Sequence, residues 1–446
     1  MRQSRSVNPN NSLDDDLFVI ITPLPLRKLI KRGKEVRITK IKRITATATA
    51  LLITLFVFGS IMGAESVPEE LRLISGEKAC LNQTGCIKIK YDNDETVRTV
   101  SGERRSTAWA NAFGVIPLKS VSISFVERES VILCAAPIGV RIYTEGIVVA
   151  ETTEVASPAG SIDPGKECGL HAGDVILETD GKKLESVEQL INAVTESDGK
   201  KMKLKVIDTD GREKQLWLKP VYSEADGCYR AGIWIRNSTA GIGALTFYEP
   251  ETKVFGGLGH AICDENSGAV MNVSEGEITN VMLTETVCGA SGAPGELIGF
   301  LGDEKYGTIT DNNESGIYGY MTRTDLGAGE YEVALKQELR EGEAQILADV
   351  PGGGGKQLYD ISIEKINYDS SNPTRNMIIK VTDKRLLELT GGIVQGMSGS
   401  PIIQDGRFAA AVTHVFVNDP SMGYAIFAEN MLYAAKSVIE STEMAA

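Results

Sequence analysis

From residue 65 to the C-terminus, apolar positions recur mainly at every second residue, in short runs broken by glycine turns. Val121-Ser122-Ile123-Ser124-Phe125-Val126 alternates strictly, and Met202 to Ile207, Gly232-Ile233-Trp234-Ile235 and Ile361-Ser362-Ile363-Glu364 follow the same period. A period of two predicts strands with one buried face. Two segments switch to the helical period. Ser186 to Val194 has apolar residues at 187, 190, 191 and 194, and the tail from Ala428 to Glu440 reads as the other helix. With 46 glycines as turn residues, the chain reads as mainly β.

The exception is Ile44 to Ala64, a run of 21 residues without a charge, which is long enough to span a bilayer. Residues 1–43 hold eleven Lys/Arg and four Asp/Glu, a net of +7. Basic residues before the run, and Glu65, Glu69 and Glu70 after it, place the leader inside and the bulk outside. A cleaved signal peptide is the alternative, but the basic leader is long for one. The remaining chain carries −14 − 7 = −21, which argues against nucleic-acid binding. The seven cysteines (80, 86, 134, 168, 228, 263, 288) lack paired C-x-x-C spacing, so no metal site or cofactor is expected. Cys80 and Cys86 are close enough in sequence to bridge a short turn, and the others read as buried thiols.

Chemistry concentrates near the C-terminus. Gly396-Met397-Ser398-Gly399-Ser400-Pro401 is the G-x-S-G-x-P turn that chymotrypsin-type proteases wrap around a nucleophilic serine. A serine hydroxyl needs a histidine to take its proton and a carboxylate to hold that histidine. His260 lies in Gly257-Leu258-Gly259-His260-Ala261, and Asp383 ends the strand-like run Met377 to Thr382. The order His260, Asp383, Ser398 is the chymotrypsin order, and the backbone amides of Gly396 and Ser398 are the expected oxyanion hole. Several residues compete for these roles. Gly289-Ala290-Ser291-Gly292-Ala293-Pro294 fits the same six-residue pattern, but only 31 residues after His260. Ser400 shares the nucleophile turn, His414 rivals His260, and Asp349, Asp360 and Asp369 lie in the same interval as Asp383. Cys263, three residues from His260, would matter only if a thiol replaced Ser398.

Residues 131–222 resemble a PDZ domain. The likeness rests on Gly169-Leu170-His171-Ala172-Gly173-Asp174-Val175-Ile176-Leu177 and Asp180-Gly181, followed by the helix at 186–194 and the strand at 202–207. Such domains add an extended peptide to a sheet edge and hold its carboxylate on backbone amides. Pro137-Ile138-Gly139-Val140 resembles the loop that does so, which makes Ile138, Gly139 and Val140 the expected peptide contacts; the alternative is an ordinary strand start. The predicted organisation is a basic leader (1–43), an anchor (44–64), a small β spacer (65–130), the PDZ domain (131–222) and a trypsin-like double-barrel peptidase domain (231–446). Pro351-Gly352-Gly353-Gly354-Gly355 reads as a flexible loop insertion.

Ala240 to Pro250, Gly259-His260, Thr390 to Pro401 and Thr413 to Pro420 together resemble the SpoIVB peptidases, stage IV sporulation signalling proteases, as does the order of anchor, spacer, PDZ and peptidase. The resemblance implies a serine endopeptidase with His260, Asp383 and Ser398 as its triad. It implies location at the forespore membrane, with the peptidase domain between the two spore membranes. It also implies self-cleavage near the N-terminus, followed by cleavage of a protein in a membrane complex, which releases a late sigma factor. The expected PDZ ligands are peptide C-termini or the chain's own segments. Met397 stands where trypsin-like proteases place an aspartate that captures a new N-terminus, so activation by that ion pair is not expected. The competing reading is a catalytically inactive PDZ scaffold in the same space. An HtrA-type quality-control protease fits less well, because its peptidase domain precedes the PDZ.

Overall fold

The computed structural model describes residues 67–74, 87–91, 98–100, 103–112 and 115–445 except 265–267, 272 and 370, together with Thr47, Thr49, Leu51 and Thr54. The predicted membrane run at 44–64 lies otherwise outside the described residues, as do Cys80 and Cys86. Among the described residues no helix is long and apolar enough to cross a membrane.

The predicted spacer forms a sheet of its own from β1 (Glu70–Ile74), β2 (Ile87–Tyr91), β3 (Arg98–Val100), β4 (Glu103–Ala112) and β5 (Ile116–Val126). Leu71, Leu73, Val121 and Ile123 are buried on one face, as strict alternation requires.

Two long strands then organise the chain. β6 (Ser130–Thr152) and β15 (Ile233–Tyr248) pair antiparallel along nearly their whole lengths. Between them lie the hairpin β7 (Val155–Ser157) and β8 (Gly160–Ile162), α1 (Pro164–Cys168), β9 (Val175–Thr179), β10 (Lys182–Lys183), α2 (Val187–Thr195), β11 (Met202–Ile207), β12 (Glu213–Leu218), β13 (Val221–Ser223) and β14 (Cys228–Arg230). Ser186 caps α2 by accepting from the Gln189 amide, and Leu190 and Val194 anchor the helix in a core with Ile147, Val149, Ile176, Leu204 and Val206. This lobe is the region predicted as PDZ.

The first barrel closes through β6, β15, β16 (Val254–Gly257), β19 (Gly316–Met321), β18 (Glu296–Asn313) and β17 (Glu275–Val287), with β17 returning to β6; β20 (Gly329–Glu332) also pairs with β6. The second is a closed barrel of β21 (Gly342–Asp349), β22 (Lys356–Ile366), β23 (Met377–Val381), β26 (Asp419–Phe427), β25 (Arg407–Phe416) and β24 (Pro401–Gln404). Helix α3 (Lys384–Thr390) sits between β23 and β24, and α4 (Ala428–Ala445) ends the chain. The poly-glycine segment is the turn of the β21–β22 hairpin, closed by Asp349 opposite Lys356. Gly352, Gly354 and Gly355 supply its positive φ angles.

The lobe and first barrel share strands instead of following one another in sequence. Residues 130–143 of β6 pair with β15 and β17 inside the first barrel, and the lobe takes the distal half of β6 together with the start of β15. This corrects the predicted peptide contacts. Ile138, Gly139 and Val140 lie mid-strand with both edges occupied, by Gly241–Gly243 on one side and Ile278–Thr279 on the other. Ile138 and Val140 point into the barrel core, and no edge remains there for a peptide to join.

Candidate active site

The nucleophile turn sits where the two barrels meet. Gly399 has φ +92°, and a Cβ there would fall 2.3 Å from the Ala244 carbonyl and 2.6 Å from the Leu258 amide, so only glycine lets the turn press against the first barrel. The Ala244 amide donates to the Ser398 carbonyl (2.8 Å), and Thr246 Oγ1 donates to the Gly399 carbonyl (2.7 Å). Ser398 is half-buried, and its hydroxyl donates to the Thr413 carbonyl at 2.9 Å. The Met397 amide is tied to the Val394 carbonyl (3.1 Å). The amides of Gly396 and Ser398 meet no acceptor among the described residues, which leaves two donors for a developing oxyanion.

His260 is thrown off the end of β16 by two consecutive left-handed residues, Leu258 (φ +65°) and Gly259 (φ +72°). A branched side chain is uncommon in that region and marks local strain. Gly259 lies against the Thr413 side chain, whose own carbonyl receives Ser398, which brings the turns that carry histidine and serine to the same residue of β25. The His260 ring lies 4.9 Å from that of His414. His260 Nδ1 is 2.8 Å from the Ala261 carbonyl. A carbonyl only accepts, so Nδ1 carries the proton of the neutral ring and Nε2 keeps its lone pair. Burial lowers the His260 pKa, against the opposing effect of the Ala261 contact. Burial, with the His260 ring and Arg375, takes His414 down to about 4. Both rings are therefore neutral near pH 7, the state a general base needs.

Asp383 does not reach this site. It caps α3, accepting from the Arg385 amide (2.8 Å), pairs with the Arg385 guanidinium (2.7 Å) and accepts from the Asp360 amide (3.2 Å). The register explains the separation. Ile378 is level with Tyr424, which is paired with His414. Asp383 comes five residues later, about 16 Å along the strand direction. Among the described residues no carboxylate pairs with either imidazole, and the third place of the triad is held by the Ala261 carbonyl. Hydrogen bonding to Arg385 holds Asp383 at about 2. Its stabilisation is full above the usual carboxylate range and is lost as pH falls from about 4 to about 2. Asp383→Ala is expected to lower the unfolding free energy by about 1–2 kcal/mol at pH 7, the worth of such a cap. The deficit should vanish near pH 2 in urea titrations.

The competing residues fall elsewhere. Ser400 is 2% exposed. Ser291 lies in an exposed turn and donates to the Asn418 carbonyl (2.9 Å). Of the cysteines expected to be buried, Cys134 is, Cys168 and Cys228 are half-buried, and Cys263 and Cys288 are exposed; partial desolvation of the sulfur, with the Asp264 charge, raises the Cys263 pKa, which makes a poor nucleophile.

Residues 227–432 match the family model described as SpoIVB peptidase S55. Over these residues the chain is similar to the SpoIVB peptidases. Among solved structures it is similar to the PDZ domain of the SdrC-like protein of Listeria monocytogenes, at 23% identity over 21% of this chain and 90% of that one, with a TM-score of 0.17. It is similar to the HtrA-type protease AlgW with decapeptide, at 12% identity over 69% and 65% with a TM-score of 0.29. It is also similar to the active form of the Rv3671c protease of M. tuberculosis, at 14% identity over 37% and 74% with a TM-score of 0.22. The S55 match and the serine–histidine site agree on serine peptidase chemistry.

One residue of the S55 domain escaped the sequence reading. Asn312 Oδ1 accepts from the Ile262 amide (2.8 Å), and its Nδ2 donates to the carbonyls of Ile262 (2.9 Å) and Met271 (2.8 Å). It is buried, and it fixes the loop that leaves His260. An isolated asparagine in an alternating strand gives no sequence signal. Asn312→Ala would leave the Ile262 amide and the Met271 carbonyl without this partner, while the Ile262 carbonyl keeps the Met271 amide, and a loss of roughly 1–3 kcal/mol is expected in denaturant unfolding.

The S55 match begins at residue 227 and takes in one wall of a groove beside α2. This cavity, about 640 Å³, is lined by Val187, Leu190, Ile191 and Val194 from the helix and by residues 229–235 opposite. The segment Arg230-Ala231-Gly232-Ile233 repeats the x-Gly-apolar pattern of Ile138-Gly139-Val140, and here it stands at a strand start. Gly232 has φ +62°, and the amides of Ala231 and Gly232 meet no acceptor among the described residues. Ile233 to Arg236 pair with β6 on one side only, so the edge facing the groove is open.

Proposed function

We propose that the chain is a serine endopeptidase in which Ser398 attacks the scissile carbonyl and His260 Nε2 removes the hydroxyl proton, later returning it to the leaving amine. Gly396 and Ser398 amides receive the oxyanion. The carrying observation is that Ser398 bonds the Thr413 carbonyl while His260 lies against the ring of the next residue, His414, with the two donor amides free in the nucleophile turn. Its extended setting, drawn from the SpoIVB resemblance, is membrane-anchored signalling in endospore formation. There the peptidase cuts itself just outside the membrane, within about residues 64–100, and then cuts a membrane regulatory protein, so that a late sigma factor is released.

The test is to express the full chain as wild type and as Ser398→Ala and follow fragmentation by gel, mass spectrometry and N-terminal sequencing. Fragmentation of wild type alone supports the reading, with a new terminus expected between residues 64 and 100. Equal fragmentation of both proteins would remove Ser398 from the mechanism. One observation favours the inactive scaffold instead, namely the absence of a carboxylate at either imidazole. On that reading neither protein fragments nor cleaves a supplied peptide.

A further inference from the structure

The open edge of β15 does not stop at the groove. Among the described residues its only strand partner from Ile233 to Gly243 is β6, and β16 joins it from Leu245 onward. Along this stretch Trp234, Ser238, Ala240 and Gly241 are exposed, and a Cβ on Gly241 would meet nothing within 4 Å. The edge ends at the nucleophile. Ala244 bonds the Ser398 carbonyl, and a Cβ on Gly243 would lie 3.6 Å from that same oxygen. One unpaired strand edge therefore runs from the glycine loop at Ala231-Gly232 to the catalytic serine.

We propose that this edge is a single substrate track that sets where the peptidase cuts, resting on the reading of Ser398 as nucleophile. The occupant is the extended C-terminal segment of a polypeptide with an apolar last residue. Unpaired backbone groups on a strand edge are a template for another strand. The glycine loop offers free amides to a terminal carboxylate, in the manner of an anion-binding nest, and the apolar wall of α2 takes the last side chain. A carboxylate held at the start of β15 leaves the peptide one way to run, antiparallel to β15 and toward Gly243. At about 3.3 Å per residue, the interval from Ile233 to Gly243 takes about ten residues. The bond presented to Ser398 thus lies about ten residues before the substrate's C-terminus, and tail length determines cleavage.

Two measurements test this. The first uses full-length Ser398→Ala protein and amide hydrogen exchange, with alternating Val/Thr peptides of five and twelve residues ending in a free valine carboxylate. The short peptide is expected to protect Ile233 to Arg236. The long one should extend protection to Gly243, and C-terminal amidation should abolish both effects. Identical protection by the two lengths would overturn the proposal. The second uses wild-type protein and peptides with one cut site followed by tails of two to sixteen residues. Cleavage should peak near a ten-residue tail and fall at least tenfold at both extremes. Serine-dependent cleavage that is indifferent to tail length would refute the track while leaving the peptidase reading intact. Length-graded protection without any cleavage would do the reverse.

Discussion

Ser398→Ala is expected to lower kcat/KM on a cleavable peptide by about 10⁴-fold to 10⁶-fold, the range found when the nucleophile of a serine peptidase is removed. The residual rate would come from the free amides of Gly396 and Ser398 acting on water attack. Stability should change little, because the hydroxyl makes one hydrogen bond, to the Thr413 carbonyl, worth roughly 1 kcal/mol. That separation matters, since a folded and inactive Ser398→Ala protein assigns the loss to chemistry. The neighbouring hydroxyls provide the contrast. Ser291→Ala removes only an exposed turn contact with Asn418 and should keep wild-type turnover. A fluorophosphonate probe should label wild type at Ser398 and leave Ser398→Ala unlabelled. Labelling of the variant would place the nucleophile elsewhere.

Local pattern carried much of the fold. The strands around Val121 to Val126, Met202 to Ile207 and Ile361 to Glu364, the helix after Ser186 and the C-terminal helix lie where period and capping put them. Each is decided by residues close in sequence. The nucleophile turn was legible for the same reason, because Gly399 has to be glycine wherever its turn packs. The failures share the opposite cause. The sequence around Ile138-Gly139-Val140 and that around Ala231-Gly232-Ile233 look alike, and only the pairing of β6 with both β15 and β17 shows that the first is enclosed and the second open. Strand register is non-local and no spacing along the chain reveals it.

Asp383 shows a second kind of ambiguity. A carboxylate at a strand end, fifteen residues before the serine, satisfies the chymotrypsin order. The same aspartate before Lys384-Arg385-Leu386-Leu387 is equally a helix N-cap, and the cap is the role the structure displays. The partner of His260 was not readable at all, because a backbone carbonyl has no signature in sequence. His414 sits in an ordinary strand, and its place at the site follows from the packing of the Gly259 turn against Thr413 on β25.

The two histidines make the last prediction, a division of labour with different pH signatures. His260→Ala should cost about 10⁴-fold or more in kcat/KM, since His260 is the ring whose Nδ1 is held by Ala261 and whose Nε2 is left to accept the serine proton. His414 has a buried Nδ1 without a partner among the described residues, and its ring covers one side of His260 at 4.9 Å between centroids, so it is expected to act as a wall that keeps water from His260. A general base works only when unprotonated, so activity falls as pH drops through its pKa. Burial lowers that pKa, and the wild-type plateau should therefore persist below the ordinary histidine value of about 6.5. His414→Asn opens the wall, hydrates His260 and moves the acid limb of kcat/KM back up toward 6.5, with plateau activity reduced by less than about 100-fold. The same substitution bears on stability. A histidine held near 4 when folded resists protons that the unfolded chain binds from about 6.5 downward. Wild type should lose stability as pH falls across that window, and His414→Asn should lose less of it. If His414→Asn instead abolished turnover and His260→Ala retained it with an unshifted acid limb, the two roles would be exchanged.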